Sequence, residues 1–533
     1  MDQIYYNGSI ITMAYSTAEE EASHSAEAVW VSDGIIRAAS GVDEIKRDAP
    51  GDAEWIDLDG SCLMPGFIDP HSHFVMNGRM AAWCDLSDCS SHQEIIDKMK
   101  AYHEKVGAVP AVIGFGYDHN FLAEGTHPDK RVLDQISTSV PVVALHVSLH
   151  FACCNSPVLA ALGITAGTPD PEGGKFGRID GSNEPSGYLE EAAMNLMMAS
   201  FPQQEAGGFD PALTQRTYLQ YGVTTAQDGD TTPAEMAALD AMARAGALVM
   251  DIVAYPDMPD GGRQTAQTYS RYLGGYADHL KIGGYKLILD GSPQGRSAWM
   301  SEPYLGGDPD YCAYPWMSDS SVEKFIEEAL SDGRQILAHC NGDAASEQFI
   351  NAYASAFSKV KPDEEIRPVM IHCQTVRNDQ LDRMKDFGMI ASIFVGHVWY
   401  WGDIHMINFG PERGNHISPA RDALDRGLHV NFHQDTPVTR PDVMHSVWCA
   451  VNRISRRGNL IGADQKISVY EALRAVTIEG AYQYFEEDSK GSIEPGKRAD
   501  LVILDRNPLA VPSMELRDIK VLKTIKDGVT VYS

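Results

Sequence analysis

Short apolar runs alternate with longer segments of helical periodicity across most of the chain, from about residue 61 to residue 485. This alternation favours a parallel β-sheet with helical crossovers, either open or closed into a barrel. Strands are predicted at 142–145, 249–254, 284–289, 335–339, 368–372, 389–394 and 429–432, and helices at 320–331, 344–357 and 378–387. The sequence therefore predicts an α/β fold for the central region.

Both ends of the chain have the pattern of short strands separated by tight turns. Strands are predicted at 3–13, with Asn7-Gly8 as a hairpin turn, and at 28–32, 34–39, 54–58, 499–504, 521–525 and 529–532. Because such strands need partners, we expect residues 1–60 and 486–533 to form one composite β-sandwich domain. Residues 61–485 then form the larger domain, in which a Gly- and Pro-rich stretch of about 75–205 is predicted to be an irregular insertion over one face.

The composition is typical of a soluble globular protein and excludes some partners. The 533 residues include 43 basic and 74 acidic side chains, which gives a formal charge of -31. This charge disfavours nucleic acids and anionic membranes as partners. No apolar run is long enough to span a bilayer, no secretory signal is visible, and the nine cysteines include no Cys-x-x-Cys pair. We therefore expect a cytoplasmic protein with a small-molecule substrate, and a homodimer is left open.

Two histidines separated by one residue, His71 and His73, follow the apolar run 64–68. Side chains at i and i+2 of a strand point to the same face, so both imidazoles can reach one metal ion. Asp69 shares this face and can orient a ligand imidazole. The alternative is a polar strand end without a metal, and the choice depends on further ligands elsewhere in the chain.

Four other predicted strands carry or end in residues that can bind a metal. Lys286 lies within an apolar strand, where an ammonium is costly to bury unless it is paired or neutralised. His339 and His372 close two further strands, and Asp435 follows a third. Each position alone is explained by a satisfied polar group or, for Lys286, by a buried ion pair. Together they indicate an active site, because barrel enzymes place theirs at the carboxyl ends of the strands.

The order of these residues resembles the metal-dependent amidohydrolase superfamily, and more closely its branch that includes N-substituted formamide deformylase. The resemblance covers almost the whole chain. It is carried by Met64-Pro65-Gly66-Phe67-Ile68-Asp69-Pro70-His71-Ser72-His73, Lys286 with Asp290-Gly291-Ser292, His339-Cys340-Asn341-Gly342-Asp343-Ala344, His372-Cys373-Gln374 and Glu494-Pro495-Gly496-Lys497-Arg498-Ala499-Asp500. Each motif is weak alone, whereas the ordered set is specific.

The resemblance implies a (β/α)8 TIM-like barrel with a small β-sandwich formed by both termini. It also implies one or two divalent metals, most often zinc, held by His71, His73, Lys286, His339, His372 and Asp435. Lys286 would be carbamylated by carbon dioxide and bridge the two metals, and Asp435 would also shuttle protons as the catalytic residue. The implied reaction is cleavage of a non-peptide carbon–nitrogen bond of the amide type by a metal-bound hydroxide.

One motif departs from the branch, which usually has Gly-Ser-Asp where this chain has His433-Gln434-Asp435. The aspartate is retained beside bulkier neighbours, so the local geometry or the substrate contacts are expected to differ. His433 can share the face of Asp435 and approach the metals, although the sequence favours a packed strand histidine over a third histidine near the metals.

Substrate contacts are predicted at His150, His397, Trp399 and Arg413. His150 lies in an insertion segment that resembles one reaching over the site in the branch. The aromatic segment 396–403 is predicted to form a loop above the metals, where it offers a flat apolar wall and His397 can hydrogen-bond a carbonyl. The alternatives are structural packing for His150 and the aromatic residues and a surface salt bridge for Arg413.

Other functions are compatible with the same barrel. A deaminase or cyclic amidohydrolase is the first alternative, although deaminases of this superfamily often use one metal and lack a bridging lysine. A lactonase or esterase is also compatible, since the same hydroxide attacks esters. A scaffold that has lost catalysis is disfavoured, because all six ligand positions are filled.

Overall fold

The computed structural model describes residues 2–81, 83–171, 173–200 and 210–533. The chain divides into two compact units, of which the first comprises Met1–Val75, Pro211–Gln294 and Ala298–Ser533 and the second Met76–Asp210 and Gly295–Ser297. The sandwich, barrel and insertion boundaries predicted above stay a prediction. None of the helices in the described ranges combines the length and the apolar character that crossing a membrane requires.

In chain order, the strands of the described ranges are β1 (Asp2–Tyr6), β2 (Ser9–Ile10), β3 (Ala28–Ser32), β4 (Ile35–Ser40), β5 (Glu54–Asp57), β6 (Cys62–Pro65), β7 (Phe67–Ile68), β8 (Cys84–Asp85), β9 (Val112–Tyr117), β10 (Val142–His146), β11 (Phe151–Cys154), β12 (Gly174–Arg178), β13 (Pro185–Glu191), β14 (Val223–Thr231), β15 (Asp251–Pro256), β16 (Leu280–Ile282), β17 (Gly284–Ile288), β18 (Gln335–Cys340), β19 (Val369–His372), β20 (Ile390–Ile393), β21 (Val430–Phe432), β22 (Leu501–Leu504), β23 (Val521–Lys526) and β24 (Val529–Tyr532). The α-helices are α1 (Ala18–Ser23), α2 (Val42–Asp48), α3 (Phe74–Met80), α4 (His92–Val106), α5 (Lys130–Leu133), α6 (Ser156–Ala161), α7 (Ala192–Ser200), α8 (Pro211–Leu219), α9 (Pro233–Arg244), α10 (Gly262–Thr268), α11 (Asp319–Ser331), α12 (Asp343–Val360), α13 (Asn378–Asp386), α14 (His397–Asn415), α15 (Ala420–Asp425), α16 (Val443–Asn452), α17 (Val469–Ala475) and α18 (Ile478–Gln483).

The two chain ends build two sheets of the first unit, with strand orders β4-β3-β1-β5 and β2-β6-β22-β23-β24. Residues from both sheets, among them Val29 and Leu501, belong to one buried apolar cluster. The predicted hairpin at Asn7-Gly8 is wrong, because β1 pairs with β3 whereas β2 pairs with β6. A Cβ on Gly8 would lie 2.3 Å from the carbonyl oxygen of Ser61, so this glycine allows the chain to cross between sheets at close approach.

The parallel strands of the first unit form two further sheets, with orders β16-β15-β14-β7 and β17-β18-β19-β20-β21. In the described residues these pairings do not join into one closed barrel. The two sheets meet in sequence at Gly283, the single residue between β16 and β17. A Cβ at this position would lie 2.5 Å from the ring of Tyr255, so only glycine fits where the strand changes sheets.

Helices connect the successive parallel strands, and the three predicted helices are confirmed as α11, α12 and α13. Local sequence explains where such helices begin. Thr232 and Glu235 form a capping box at the start of α9, with Pro233 in the first turn. Each helix returns the chain to the same edge of the sheets, so the carboxyl ends of the parallel strands collect on one side.

In its described residues the second unit contains one sheet, with strand order β12-β13-β11-β10-β9-β8. The predicted irregular character of the stretch 75–205 is therefore wrong, whereas its reading as an insertion stays a prediction, and the predicted strand at 142–145 belongs to this sheet. Val142 and Ala144 of β10 lie in one buried cluster, whereas Val143 and Leu145 lie in another. Successive side chains of β10 therefore point to opposite faces of the sheet, and each face is covered by its own apolar cluster. This explains how a Gly- and Pro-rich segment can support a buried sheet.

Candidate metal centre at the strand ends

Three predicted ligands of the first metal converge in the first unit. Asp435 Oδ1 lies 3.4 Å from His71 Nε2 and 3.3 Å from His73 Nε2. The histidines stand beyond the short strand β7 rather than within it, so strand alternation does not explain their convergence. The backbone N–H of His73 donates to the carbonyl oxygen of Thr436 at 2.7 Å, which joins the segments after β7 and β21. The three side chains form a group suited to hold a metal ion.

Lys286 lies within β17 and its ammonium reaches the same group. Its Nζ is 3.2 Å from His71 Nε2, and the residue is only 1% exposed. Burial lowers the pKa of Lys286 to about 8, although the charges of Asp230 and Asp435 oppose the shift. A buried amine beside imidazoles is explained either by a charged partner or by loss of its proton.

The two later histidines lie beside the first group. His339 is in β18 and His372 ends β19, with ring centroids 4.3 Å apart. The ring of His372 is 5.6 Å from that of His71. His433 also joins, with its ring centroid 5.1 Å from the rings of both His71 and His372. Five histidine rings, one carboxylate and one amine therefore share a buried region at the strand ends.

Hydrogen bonds orient two of these imidazoles. His71 Nδ1 is 2.6 Å from Gln227 Oε1, while Gln227 Nε2 donates to the carbonyl oxygen of Pro70 at 2.6 Å. The Gln227 oxygen therefore accepts from His71 Nδ1, and the lone pair of His71 Nε2 faces the candidate centre. His339 Nδ1 is held in the same way by Asp290 Oδ1 at 3.1 Å.

Asp69 has a different contact from the one predicted. Its Oδ1 accepts from the backbone N–H of His71 at 3.3 Å, whereas Gln227 holds the His71 ring. Gln227 was missed because β14, with the sequence Val-Thr-Thr-Ala-Gln-Asp-Gly-Asp-Thr, lacks the apolar run that marks a buried strand. The sequence still indicates a strand here by its position, because two helical segments, at 211–219 and 233–244, need a strand between them in a parallel sheet.

The electrostatics of the cluster suit a cation. Burial lowers the pKa values of His71, His372 and His433, in the last case to about 3, so these rings are neutral at pH 7. Burial would raise the pKa of Asp435, but His73 and the neighbouring histidines hold it well below its usual range. For His73, burial alone would lower the pKa, but the hydrogen bond and the negative charge of Asp435 have the larger effect and raise it.

Unpaired buried atoms point to the same conclusion. Among the described side chains, His372 Nδ1 and both ring nitrogens of His433 are buried without a hydrogen-bond partner. His372 and Asp435 also have positive φ angles of 71° and 54°, conformations that are costly for these residues and cluster at functional sites. Neutral imidazoles, a carboxylate and unpaired buried nitrogens make a donor set that fits a divalent transition metal.

The predicted aromatic loop is in fact a helix. His397 and Trp399 belong to α14, which begins at His397 directly after Gly396. His397 is buried, with Nδ1 3.1 Å from His405 Nε2 and its ring packed on Phe394 at a centroid distance of 4.7 Å. Burial of His397 and Trp401 outweighs the low helix propensity of clustered aromatic residues in this segment. The substrate contacts predicted for both residues stay a prediction.

The other two predicted substrate residues have structural partners. Arg413 donates to the carbonyl oxygens of Glu302 and Pro303 at 3.0 and 2.7 Å, and these contacts tie α14 to a neighbouring segment. His150 lies in the second unit, where its Nδ1 is 3.0 Å from Glu191 Oε2. Its predicted role toward a substrate also stays a prediction.

Comparison with known proteins identifies the family. The profile of the amidohydrolase family matches residues 54–532, so the chain belongs to this family. It is similar to the N-substituted formamide deformylase of Arthrobacter pascens, with 28% identity over 95% of both chains. It is also similar to the YtcJ protein of Bacillus subtilis (strain 168), with 26% identity over 100% of this chain and 99% of that protein.

A solved structure adds the fold. An uncharacterised metal-dependent hydrolase from Pyrococcus horikoshii OT3 superposes with a TM-score of 0.75 and 24% identity, over 96% of this chain and 99% of that one. Structural neighbours of this kind imply a TIM-barrel fold. The expected resemblance and the expected enzyme class, a metal-dependent hydrolase of carbon–nitrogen bonds, are confirmed.

Proposed function

We propose that this protein hydrolyses an N-substituted amide, of which an N-substituted formamide is the first substrate class to test. The observation that carries the proposal is the convergence of His71, His73 and Asp435 at 3.3–3.4 Å, with Lys286 Nζ 3.2 Å from His71 Nε2. The similarity to a formamide deformylase over 95% of both chains supports this substrate class. The aromatic residues of α14 support an apolar or aromatic substituent on the nitrogen.

Two sets of residues would hold divalent metals, for which zinc is the first candidate. His71, His73 and Asp435 would bind one ion, and His339 with His372 would bind another. A metal bound there lowers the pKa of water from ~15.7 toward ~7 and polarises a substrate carbonyl. Gln227 and Asp290 contribute by fixing the rings of His71 and His339, which reduces the cost of arranging ligands.

Lys286 would bridge the two sets as a carbamate. In this step the neutral amine forms a bond to the carbon of carbon dioxide and releases one proton. The lowering of the Lys286 pKa to about 8 by burial greatly increases the neutral fraction of this amine near neutral pH, relative to an exposed lysine. The carbamate then offers two anionic oxygens where an ammonium would repel cations.

Asp435 would move the proton during hydrolysis. Its pKa well below the usual range keeps it ionised at pH 7, so it can accept a proton from the attacking water. It would then deliver that proton to the departing amine nitrogen, while a formate or other carboxylate is released. Burial lowers the pKa values of His71 and His372, so these two rings stay neutral beside Asp435 at pH 7.

We also propose that the two parallel sheets are halves of a (β/α)8 barrel and that the two terminal sheets form a β-sandwich. Counting β16 and β17 as one strand bent at Gly283 gives eight parallel strands. The bond from His73 N–H to Thr436 supports closure between the segments after β7 and β21. The shared cluster that contains Val29 and Leu501 supports the sandwich.

The proposal is tested with metal-loaded protein on a panel of N-alkyl and N-aryl formamides, larger amides, lactones and esters. We expect amine release from formamides or other amides, and a fall in kcat of at least about a hundredfold in Asp435→Asn. Asp403→Asn is the matched control, because this carboxylate lies on α14 and accepts a hydrogen bond from Asn459. Full turnover by Asp435→Asn, or turnover of esters alone, would refute the proposal.

A further inference from the structure

A second group of metal-binding side chains lies in the second unit and is independent of the proposed function. Asp118 and His119 follow the end of β9, and His146 is the last residue of β10. These strands are parallel neighbours, with His146 paired with Tyr117 in the register. The three side chains therefore leave adjacent strands at their carboxyl ends, which brings them together as at the strand ends of the first unit.

The distances within this group match those of a shared ion. His119 Nδ1 lies 3.1 Å from His146 Nε2, and Asp118 Oδ1 lies 3.5 Å from His146 Nε2 and 3.8 Å from His119 Nδ1. Metal bonds of 2.0–2.1 Å at tetrahedral angles separate two ligand atoms by roughly 3.3 Å. Both distances from the carboxylate to the ring nitrogens are longer than a usual hydrogen bond but are close to the separation of two ligands of one ion.

The surroundings hold these ligands in place. Asp118 Oδ1 accepts hydrogen bonds from the backbone N–H and the side-chain amide of Asn120, each at 2.9 Å. The ring of His127 stacks on His119 with a centroid distance of 4.0 Å. Asp118 and His146 are buried, and His119 is half-buried. A group that is held from several sides binds a metal without a large ordering cost.

The hydrogen bonds of His146 are compatible with two arrangements, with the ring proton on either Nε2 or Nδ1. In one, the backbone N–H of Ser148 donates to His146 Nδ1 at 3.1 Å, and Nε2 carries the proton toward His119. In the other, Nδ1 carries the proton and donates to Ser148 Oγ at 2.8 Å, which leaves the Nε2 lone pair directed at the group. The second arrangement is the usual one for a ligand imidazole, whose other nitrogen donates to a nearby acceptor.

We propose that Asp118, His119 and His146 form a second binding site for a divalent transition metal, with zinc as the expected ion. The two imidazole nitrogens are borderline ligands that suit zinc better than calcium or magnesium, and zinc also accepts a carboxylate oxygen. Three protein ligands leave one tetrahedral position for water or for a ligand from solution. The site belongs wholly to the second unit, so it does not require metal at the strand ends of the first unit.

The test measures zinc per chain in the full-length protein after zinc loading and removal of the free ion. We expect His119→Gln and Asp118→Asn each to lose one metal equivalent relative to the wild type. His103→Gln is the control, because it removes an imidazole on α4 of the same unit and should retain all the metal. The cobalt-substituted wild type should show visible absorption that is partly lost in His119→Gln.

A variant of the first centre separates this proposal from the function. His73→Gln should lose metal independently, so that the double variant His73→Gln/His119→Gln shows the sum of both losses. Anomalous diffraction at the zinc edge needs no variant and should give a peak between Asp118, His119 and His146. Equal metal content in wild type, His119→Gln and Asp118→Asn, or no anomalous peak at this position, would overturn the proposal.

Discussion

Replacing Gln227 by leucine tests whether hydrogen bonds behind the ligands tune the metal centre. The substitution removes the acceptor at 2.6 Å from His71 Nδ1 and so frees the ring to rotate and to shift its proton. The carbonyl oxygen of Pro70 loses one donor but retains Gln483 Nε2 at 2.7 Å. The hydroxyl of Tyr484 also loses the Gln227 Nε2 donor at 3.3 Å but still donates to the carbonyl oxygen of Asp69 at 2.9 Å, so the largest loss falls on His71.

The expected magnitude follows from this arrangement. Losing such an outer partner typically weakens metal affinity by about 10- to 100-fold, or about 1.4–2.8 kcal/mol. The metal-free fold should lose only about 1–2 kcal/mol, since one buried nitrogen is left without its partner. The affinity is measured by competition with a chromophoric chelator, and the stability of metal-free protein by denaturant unfolding.

Gln483→Leu provides the matched control for this experiment. It removes the other amide that donates to Pro70 and also the acceptor of Asn431 Nδ2 at 2.8 Å, without touching His71. We expect it to lower the stability of the metal-free protein and to leave metal affinity within about twofold. If Gln227→Leu binds metal as tightly as the wild type, or if Gln483→Leu loses as much affinity, the reasoning about ligand orientation is refuted.

Three further predictions concern other parts of the first unit. Asp251 is fully buried with Lys490 Nζ at 2.6 Å and Lys526 Nζ at 2.8 Å, and although burial opposes it, these lysines hold the pKa of Asp251 well below its usual range. The ionised Asp251 carboxylate contributes fully to the free energy of unfolding above its unfolded pKa of about 3.9, and this contribution is lost as pH falls through the lower folded pKa. Asp251→Asn should therefore destabilise the protein by about 3–5 kcal/mol at pH 7, and the urea midpoints of variant and wild type should converge below about pH 4. A constant difference between the two midpoints at all pH values would contradict this. Arg413→Gln should leave KM unchanged within about twofold and lower the melting temperature slightly, because the guanidinium of Arg413 donates to backbone carbonyl oxygens. A large rise in KM would instead show that Arg413 contacts the substrate. Protein reconstituted with metal in carbon dioxide-depleted buffer should be inactive until bicarbonate is added, and turnover that is independent of bicarbonate would exclude a carbamate on Lys286.

Much of the fold was predictable because its elements follow local patterns. β3 and β24 lie at the predicted residues, and the strands that contain or end in Lys286, His339 and His372 agree to within one or two residues. Buried parallel strands are continuous apolar runs between turn residues, and this pattern depends on few long-range contacts. The nearness of His71, His339, His372 and Asp435 follows from their places at or just beyond the carboxyl ends of these strands, whereas their roles as metal ligands stay a prediction.

The parts that were missed depend on tertiary context. β14 is polar, and its Gln227 holds the ring of His71, so its sequence conceals a buried strand. The aromatic residues of α14 pack within the protein rather than form a loop, because burial decides the structure of such a segment. The sheet of the second unit is built from short strands between Gly- and Pro-rich turns, and its strand pairing is set by tertiary packing rather than by local sequence.

The central claim is that metal held by His71, His73 and Asp435 supports amide hydrolysis. It is tested most directly by titrating zinc into metal-free wild type and His73→Gln while following bound metal and amide turnover in the same samples. We predict that wild-type turnover is absent without metal and rises in proportion to the metal bound, whereas His73→Gln loses both the tight binding and the turnover. Turnover by metal-free protein, or full turnover by His73→Gln with less bound metal, would contradict the claim.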